Sequence, residues 1–299
     1  MSWNLAHRSA LRLRAMLGRS DDRPRAWEAD VVDDLAFNRP WNLVIKLLRI
    51  VALLRIRRLR SGVTVVIVNW NTREVTRDVL QAVQVLTKAD VEVMIVDNGS
   101  TDGSREWLGR EFGIRRVFLP ANAGHAIALD IATLIARTDT VVTLDSDAIP
   151  LEESWLDVVL EPMKKVGVIL AGLRGSRDFV HPVFLAVDVR SFIRRRLSFQ
   201  VFREPGVTNE AQVWGVNSWD TGELMTKRLE VHEVAFVEPT PNLVEGLPGM
   251  TVGAVVYHHG GVTRATESDV DDDSYTRWRS AIEALLPSGA LHPVSGRDE

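Results

Sequence analysis

Asp145 and Asp147 stand two residues apart where the driest run of the chain surfaces, in "TVVTLDSDAIPLEE" (Thr140–Glu153). Either they are ordinary solvated turn residues, or something positive sits between them. Successive odd residues of an extended segment point the same way, so both carboxylates can address one partner. Two other stretches carry groups of comparable reactivity. "VVYHHGGVTR" (Val255–Arg264) closes an apolar run with His258 and His259, and adjacent strand residues point to opposite faces. "VNSWDTGELMTKRLE" (Val216–Glu230) places Glu223 three residues after Asp220, in the form of a helix-capping pair.

The elements that must position these groups alternate. "VTVVIVNW" is a β-branched run, and "TREVTRDVLQAVQVL" follows it with Val75, Val79, Leu80, Val83 and Leu86 on one helical face. "VEVMIVD", "IRRVFLP", "TVVTLD" and "VGVILAGL" read as further strands, with "SREWLGREF", "HAIALDIATLIA" and "SWLDVVLEPMKKV" as the helices between them. This alternation predicts an α/β domain with a mainly parallel, Rossmann-like sheet, helices on both faces, and ligands at the carboxyl ends of the strands. The first four strands end in "NWN", "DNGSTDGS", "ANAGHA" and "DSD", which are all polar or glycine-rich. None holds G-x-G-x-x-G or a Walker lysine, so dinucleotide and P-loop readings fail.

Composition limits the rest. The 299 residues include no cysteine, which excludes disulfides, thiolate metal sites and a cysteine nucleophile and is compatible with a reducing cytosol. Residues 1–60 carry 13 Lys/Arg and 6 Asp/Glu, whereas the remaining residues carry 23 and 34, giving the net charge of −4. A basic head suggests an anionic partner there, and an acidic body argues against nucleic acid as its partner. "WNLVIKLLRIVALLRIRRLR" (Trp41–Arg60) has no acid and no helix breaker. Lys46, Arg49 and Arg55 interrupt it too often for a membrane span. It reads as a helix lying on an anionic membrane, or as one packed on the main domain or on a second subunit.

"VTVVIVNWN", "VEVMIVDNGSTDGS", "PANAGHAIALDIA" and "VVTLDSDAIP", in that order, resemble family 2 of the inverting GT-A glycosyltransferases, with rhamnosyl- and galactofuranosyl-transferase-like features. The resemblance covers residues 62–150 and extends more weakly to 263. It implies a GT-A fold and transfer of a sugar from a nucleotide diphosphate sugar, UDP- or dTDP-linked, to a glycan, lipid-linked or small-molecule hydroxyl. Asp97 would bond the pyrimidine, with Asn69, Asn71 and Ser100 bordering the same pocket, although a turn role suits Asp97 and a helix cap suits Asn71 equally. Gly124 and His125 match a small-residue segment where backbone approaches the donor. Asp130 stands where the family usually has asparagine and is given no role. Asp145 and Asp147 match the D-x-D pair, with Asp147 on Mn2+ or Mg2+ and Asp145 on the ribose or a metal-bound water. One of His258 and His259 would add a metal ligand. Asp220, with Glu223 as the alternative, would deprotonate the acceptor, and Trp219 would stack on a sugar. Thr221 and Gly222 depart from the usual paired-acid form there.

The expected organisation is a basic helical extension (1–60), a GT-A domain (61–263) with a nucleotide half (61–150) and an acceptor half (151–263), then an acidic linker, short helix and tail (264–299). A cytoplasmic protein, peripheral on the inner face of the membrane, is the expected placement. The contrasting function is a degenerate relative that binds nucleotide or glycan without turnover, a reading supported only by the altered motif at 220–223.

Overall fold

The computed structural model describes residues 39–200, 220–242, 244, 247–260 and 272–286. Residues 1–38, Trp219, Arg264, most of the acidic linker and the tail from 287 lie outside the described residues. The chain divides between Val51 and Ala52. Helix α1 (Arg39–Arg55) crosses that division and ends in a 3-10 turn, Ile56–Arg58. Among the described residues no helix is long and apolar enough to cross a membrane.

The body is built on β1 (Arg60–Asn69), whose last six residues are all buried. Valine and isoleucine fill both faces of this strand, as a parallel strand covered on two sides requires. Helix α2 (Arg73–Leu86) follows and buries the expected Val75, Val79, Leu80, Val83 and Leu86. The chain then forms β2 (Val91–Asp97), α3 (Ser104–Arg110), β3 (Ile114–Phe118), α4 (His125–Ile135) and β4 (Thr138–Asp145). After a tight turn come β5 (Ala148–Pro150), α5 (Asp157–Met163), β6 (Leu170–Arg174), β7 (Val180–Asp188) and α6 (Val189–Arg194). The described chain continues through α7 (Glu223–Lys227), β8 (Val234–Val237), β9 (Pro239–Thr240), β10 (Met250–Val252) and β11 (Val256–His258), and α8 (Asp272–Leu285) follows.

The main sheet has the order β3-β2-β1-β4-β7-β6-β8. The pairs β1/β2, β1/β4, β2/β3 and β6/β8 are parallel, while β7 runs antiparallel to both β4 and β6. This is the mainly parallel α/β fold the alternation predicted, with two strands, β7 and β8, that it did not show. The chain turns outward from β1 through β2 to β3, then returns to place β4 on the other side of β1. Strand order therefore reverses between β1 and β4, and a crevice opens outside the carboxyl ends at such a point. The register sets Asn69 beside Asp97 and Val68 beside Asp145, so both polar tips share that end. A smaller antiparallel sheet, β5-β11-β10-β9, pairs Ala148 with His258 and brings the histidine strand to the aspartates.

Candidate active site

The first wall of the crevice is a hydrogen-bonded floor. Asn69 Nδ2 donates to Asp97 Oδ1 and to Ser100 Oγ, both at 3.0 Å. The Ser100 N–H donates to Asp97 Oδ2 at 3.3 Å, and Arg105 lies 3.7 Å from the same oxygen. Asp97 is fully buried, so in this state its carboxylate organises the two loops that meet over it. Asn71 takes a left-handed conformation (φ 53°), which asparagine tolerates, and does not cap α2. Its N–H donates to Ser100 Oγ at 3.0 Å and its Oδ1 accepts from the Thr101 N–H at 2.8 Å, stapling the β1 tip to the β2 tip.

Glycine is required at Gly99, where φ is +78° and an added Cβ would lie 2.5 Å from the Ala121 carbonyl carbon. The β2 and β3 tips pack backbone to backbone there. Gly124 differs, since a Cβ would meet nothing within 4 Å among the described residues. Space is open where the sequence expects a donor to approach.

Opposite this floor lie the acids. Asp145 ends β4, and Asp147 sits in the turn before β5, so the pair brackets a turn and does not run along one extended segment. Their convergence comes from the turn and from β11. The ligand atoms of Asp145, Asp147 and His258 all lie within 4.8 Å of one another. His258 Nε2 is 3.3 Å from Asp147 Oδ1, while its buried Nδ1 finds no hydrogen-bond partner among the described residues. His125, at the start of α4, brings Nε2 to 3.3 Å from Asp145 Oδ1. The oxygen and nitrogen donor set, with an orphaned imidazole nitrogen in it, fits Mn2+ or Mg2+.

His259 points elsewhere. Its Nδ1 is 2.9 Å from the Tyr257 hydroxyl, and its ring meets Trp278 edge to face. Trp278 on α8 stacks on Tyr257 and donates through Nε1 to Asp78 Oδ2 at 3.1 Å. His259 is thereby committed to the core, and only its backbone N–H reaches Asp147, at 3.1 Å from the carbonyl.

Charge balances across the crevice. Burial opposes the protonated forms of His125 and His258, but the charge and hydrogen bonds of Asp145 and Asp147 outweigh it and raise both imidazoles. Asp145 moves the other way, held low by His125 despite burial. Burial dominates at His259 and lowers it.

Asp220 and Glu223 have different surroundings. Asp220 is half exposed, with a side-chain accessibility of 50%, and its Oδ2 lies 3.7 Å from His181 Nε2. Glu223 is buried and paired with Arg177, with Nη2–Oε2 at 2.6 Å, and it accepts the Asp220 N–H at 3.0 Å. Burial raises the Glu223 carboxyl, but the Arg177 hydrogen bonds and the Asp220 N–H prevail and lower it. His181 was absent from the sequence expectations. It lies on β7, and its Nδ1 accepts the Val183 N–H at 3.2 Å, which leaves the ring proton on Nε2, facing Asp220. Burial keeps this imidazole below its ordinary value, although Asp145 and Asp220 pull it up.

Asp130, which had no expected role, is buried in α4 and accepts the Phe199 N–H and Gln200 Nε2, each at 2.8 Å, together with the Ser198 hydroxyl. Phe199 O in turn accepts the Gly222 N–H at 3.0 Å. Both ends of the segment from 200 to 220 are tied down.

Residues 64–204, just under half of the chain, match the family model described as Glycosyl transferase family 2. Over these residues the chain is similar to that family, and the sheet they build is a mainly parallel α/β one. Among curated proteins, none matches the chain. The solved structures it resembles include a mannosyltransferase from Pyrobaculum calidifontis in complex with GDP-Man and Mn2+, at 16% identity and TM-score 0.46 over 84% of this chain and 80% of that one. Glucosyl-3-phosphoglycerate synthase from Mycobacterium tuberculosis, in complex with Mn2+, UDP and glucosyl-3-phosphoglycerate, matches at 19% identity and TM-score 0.46 over 82% and 85%. S. aureus TarS 1-349 matches at 13% identity and TM-score 0.39 over 46% of this chain, and the match spans only half of the TarS chain.

Proposed function

We propose that this chain is a metal-dependent, inverting glycosyltransferase that moves a sugar from a UDP- or dTDP-sugar to the hydroxyl of a glycan, lipid-linked or small-molecule acceptor. The observation that carries the reading is the convergence at the sheet's switch point of Asp145 and Asp147, both inside the family 2 match, with His258, which lies beyond it in sequence. Asp145, Asp147 and His258 would hold Mn2+ or Mg2+. When bound, the ion supplies Lewis-acid stabilisation of the negative charge that develops on the leaving nucleotide diphosphate.

The remaining roles belong to the protein. Asn69, Asn71, Asp97 and Ser100 form the nucleotide side, and the open space at Gly124 admits the donor beside His125. Asp220, exposed to the crevice, takes the proton of the attacking hydroxyl, and in-line attack inverts the anomeric centre. Glu223 is a scaffold for Asp220, since its oxygens are engaged by Arg177 and by the Asp220 N–H. That division of labour accounts for the unpaired motif at 220–223 and favours turnover over a binding-only relative.

The deciding experiment is a screen of nucleotide sugars with Mn2+ and Mg2+ by thermal shift, followed by transfer assays with the donor that stabilises the chain. Asp147→Asn should abolish metal-dependent transfer. Full transfer by that variant would overturn the proposal.

A further inference from the structure

Helix α1 shows its apolar face to solvent. Leu43, Leu47, Ile50 and Leu54 are 59%, 55%, 57% and 81% exposed. At 100° per residue they fall within about 60° of one another, in one stripe along the helix. Exposed Val44 and Val51 widen the stripe on one side. Ile45 and Ala52, on the opposite side, are buried. An ordinary surface helix is arranged the other way, with its leucines inward and its polar residues outward. A contiguous apolar stripe of this kind marks an interaction surface.

The charges around it identify the partner. Exposed Lys46 and half-buried Arg49 flank the stripe, and exposed Arg57 and Arg58 follow in the turn after the helix. No acidic residue occurs between Asp34 and Glu74. Two copies of such a helix, packed stripe to stripe, would bring like charges together with no counter-charge. An anionic bilayer supplies both an apolar interface for the leucines and phosphates for the cations.

We propose that α1 is an interfacial helix that seats this protein on an anionic lipid surface, lying in the plane of the headgroups with Leu43, Leu47, Ile50 and Leu54 inserted. The helix does not span. The proposal is independent of the enzymatic reading, because its measurement needs neither donor nor acceptor.

The test is co-sedimentation of the full chain with phosphatidylcholine vesicles, with and without about 30 mol% phosphatidylglycerol. The expected result is binding to the anionic vesicles that weakens as salt rises. Leu47→Asp with Leu54→Asp should lower the partition coefficient by roughly ten-fold or more. Lys46→Gln with Arg57→Gln should lower it by roughly 25-fold, at about five-fold per cation. Both pairs alter exposed positions, and an unchanged thermal midpoint checks that each variant is folded. The milder glutamine pair keeps the test decisive if the aspartates disturb the helix. Wild-type protein that stays free of the anionic vesicles would overturn the proposal, as would binding that survives both pairs. Light scattering that shows a dimer lost in the leucine variants, with no vesicle binding, would instead assign the face to a second copy.

Discussion

Arg177 grips both carboxylate oxygens of Glu223, with Nη2 2.6 Å from Oε2 and Nε 3.0 Å from Oε1. The two residues are 46 positions apart, and the pair fixes the start of α7 and, through the Asp220 N–H, the turn before it that holds Asp220. The consequence is a separation of two acids that look interchangeable in the sequence. Glu223→Gln should lower stability by about 1–3 kcal/mol, a modest figure because Arg177 is partly exposed. Asp220→Asn should leave the thermal midpoint within about 1–2 °C and abolish transfer. Thermal denaturation and a transfer assay on both variants distinguish the roles, and a stable, inactive Glu223→Gln would reverse them.

The same pair gives a pH dependence. Glu223 has a lowered folded value, so its contribution is complete above the unfolded carboxylate value of about 4.3 and fades as pH falls through the folded value. The gap in thermal midpoint between wild type and Glu223→Gln should therefore be constant near neutrality and narrow below about pH 4. A gap that persists unchanged into acid would show that the pair contributes nothing through its charge.

For the metal, Mn2+ at about a hundred times its dissociation constant should raise the wild-type midpoint by roughly 5–10 °C. Asp147→Asn and His258→Ala should erase that shift. His259→Ala should behave differently, with a lower baseline from the lost Tyr257 and Trp278 contacts and a retained Mn2+ shift. Equal loss of the shift in both histidine variants would put His259 among the ligands.

His181 offers a subtler measurement. Its Nε2 lies 3.7 Å from Asp220 Oδ2, near enough for its proton to orient that carboxylate. His181→Ala should lower kcat by roughly ten-fold with little change in donor KM, and His181→Gln, which keeps an N–H donor, should restore part of it. A pure KM effect would make His181 a binding residue.

At the tips of β1 and β2, Asp97→Ala removes the acceptor shared by Asn69 and Ser100. UDP affinity by calorimetry should fall by roughly ten-fold or more, since the floor of the pocket loses two hydrogen bonds. Undiminished UDP binding would confine Asp97 to the fold.

Local signals made much of this readable in advance. The β-branched run of β1 and the 3.6-residue spacing of α2 announce themselves without tertiary context, and the polar strand tips marked the crevice. What escaped was set by distant partners. β7 holds Pro182, which reads against a strand, and it pairs antiparallel with a strand some 40 residues earlier, so His181 had no local mark. The choice between His258 and His259 depends on Tyr257 and on Trp278 from α8. The expected shared direction of Asp145 and Asp147 assumed an extended strand, where the chain makes a turn and β11 completes the cluster. Asp130, a departure from the family's asparagine, found its reason only in Ser198, Phe199 and Gln200.

The clamp at Asp130 and the Phe199–Gly222 hydrogen bond have a consequence for how such a protein diversifies. With both roots fixed, a change in the length of chain joining them is felt mainly as a closure cost. Closing a loop costs only about 0.6 kcal/mol more for each doubling of its length. Segments of very different size can therefore be grafted between Gln200 and Asp220 without unfolding the sheet beneath. The anchors themselves, Asp130 with Phe199 and Phe199 with Gly222, would be left as they are by such a change.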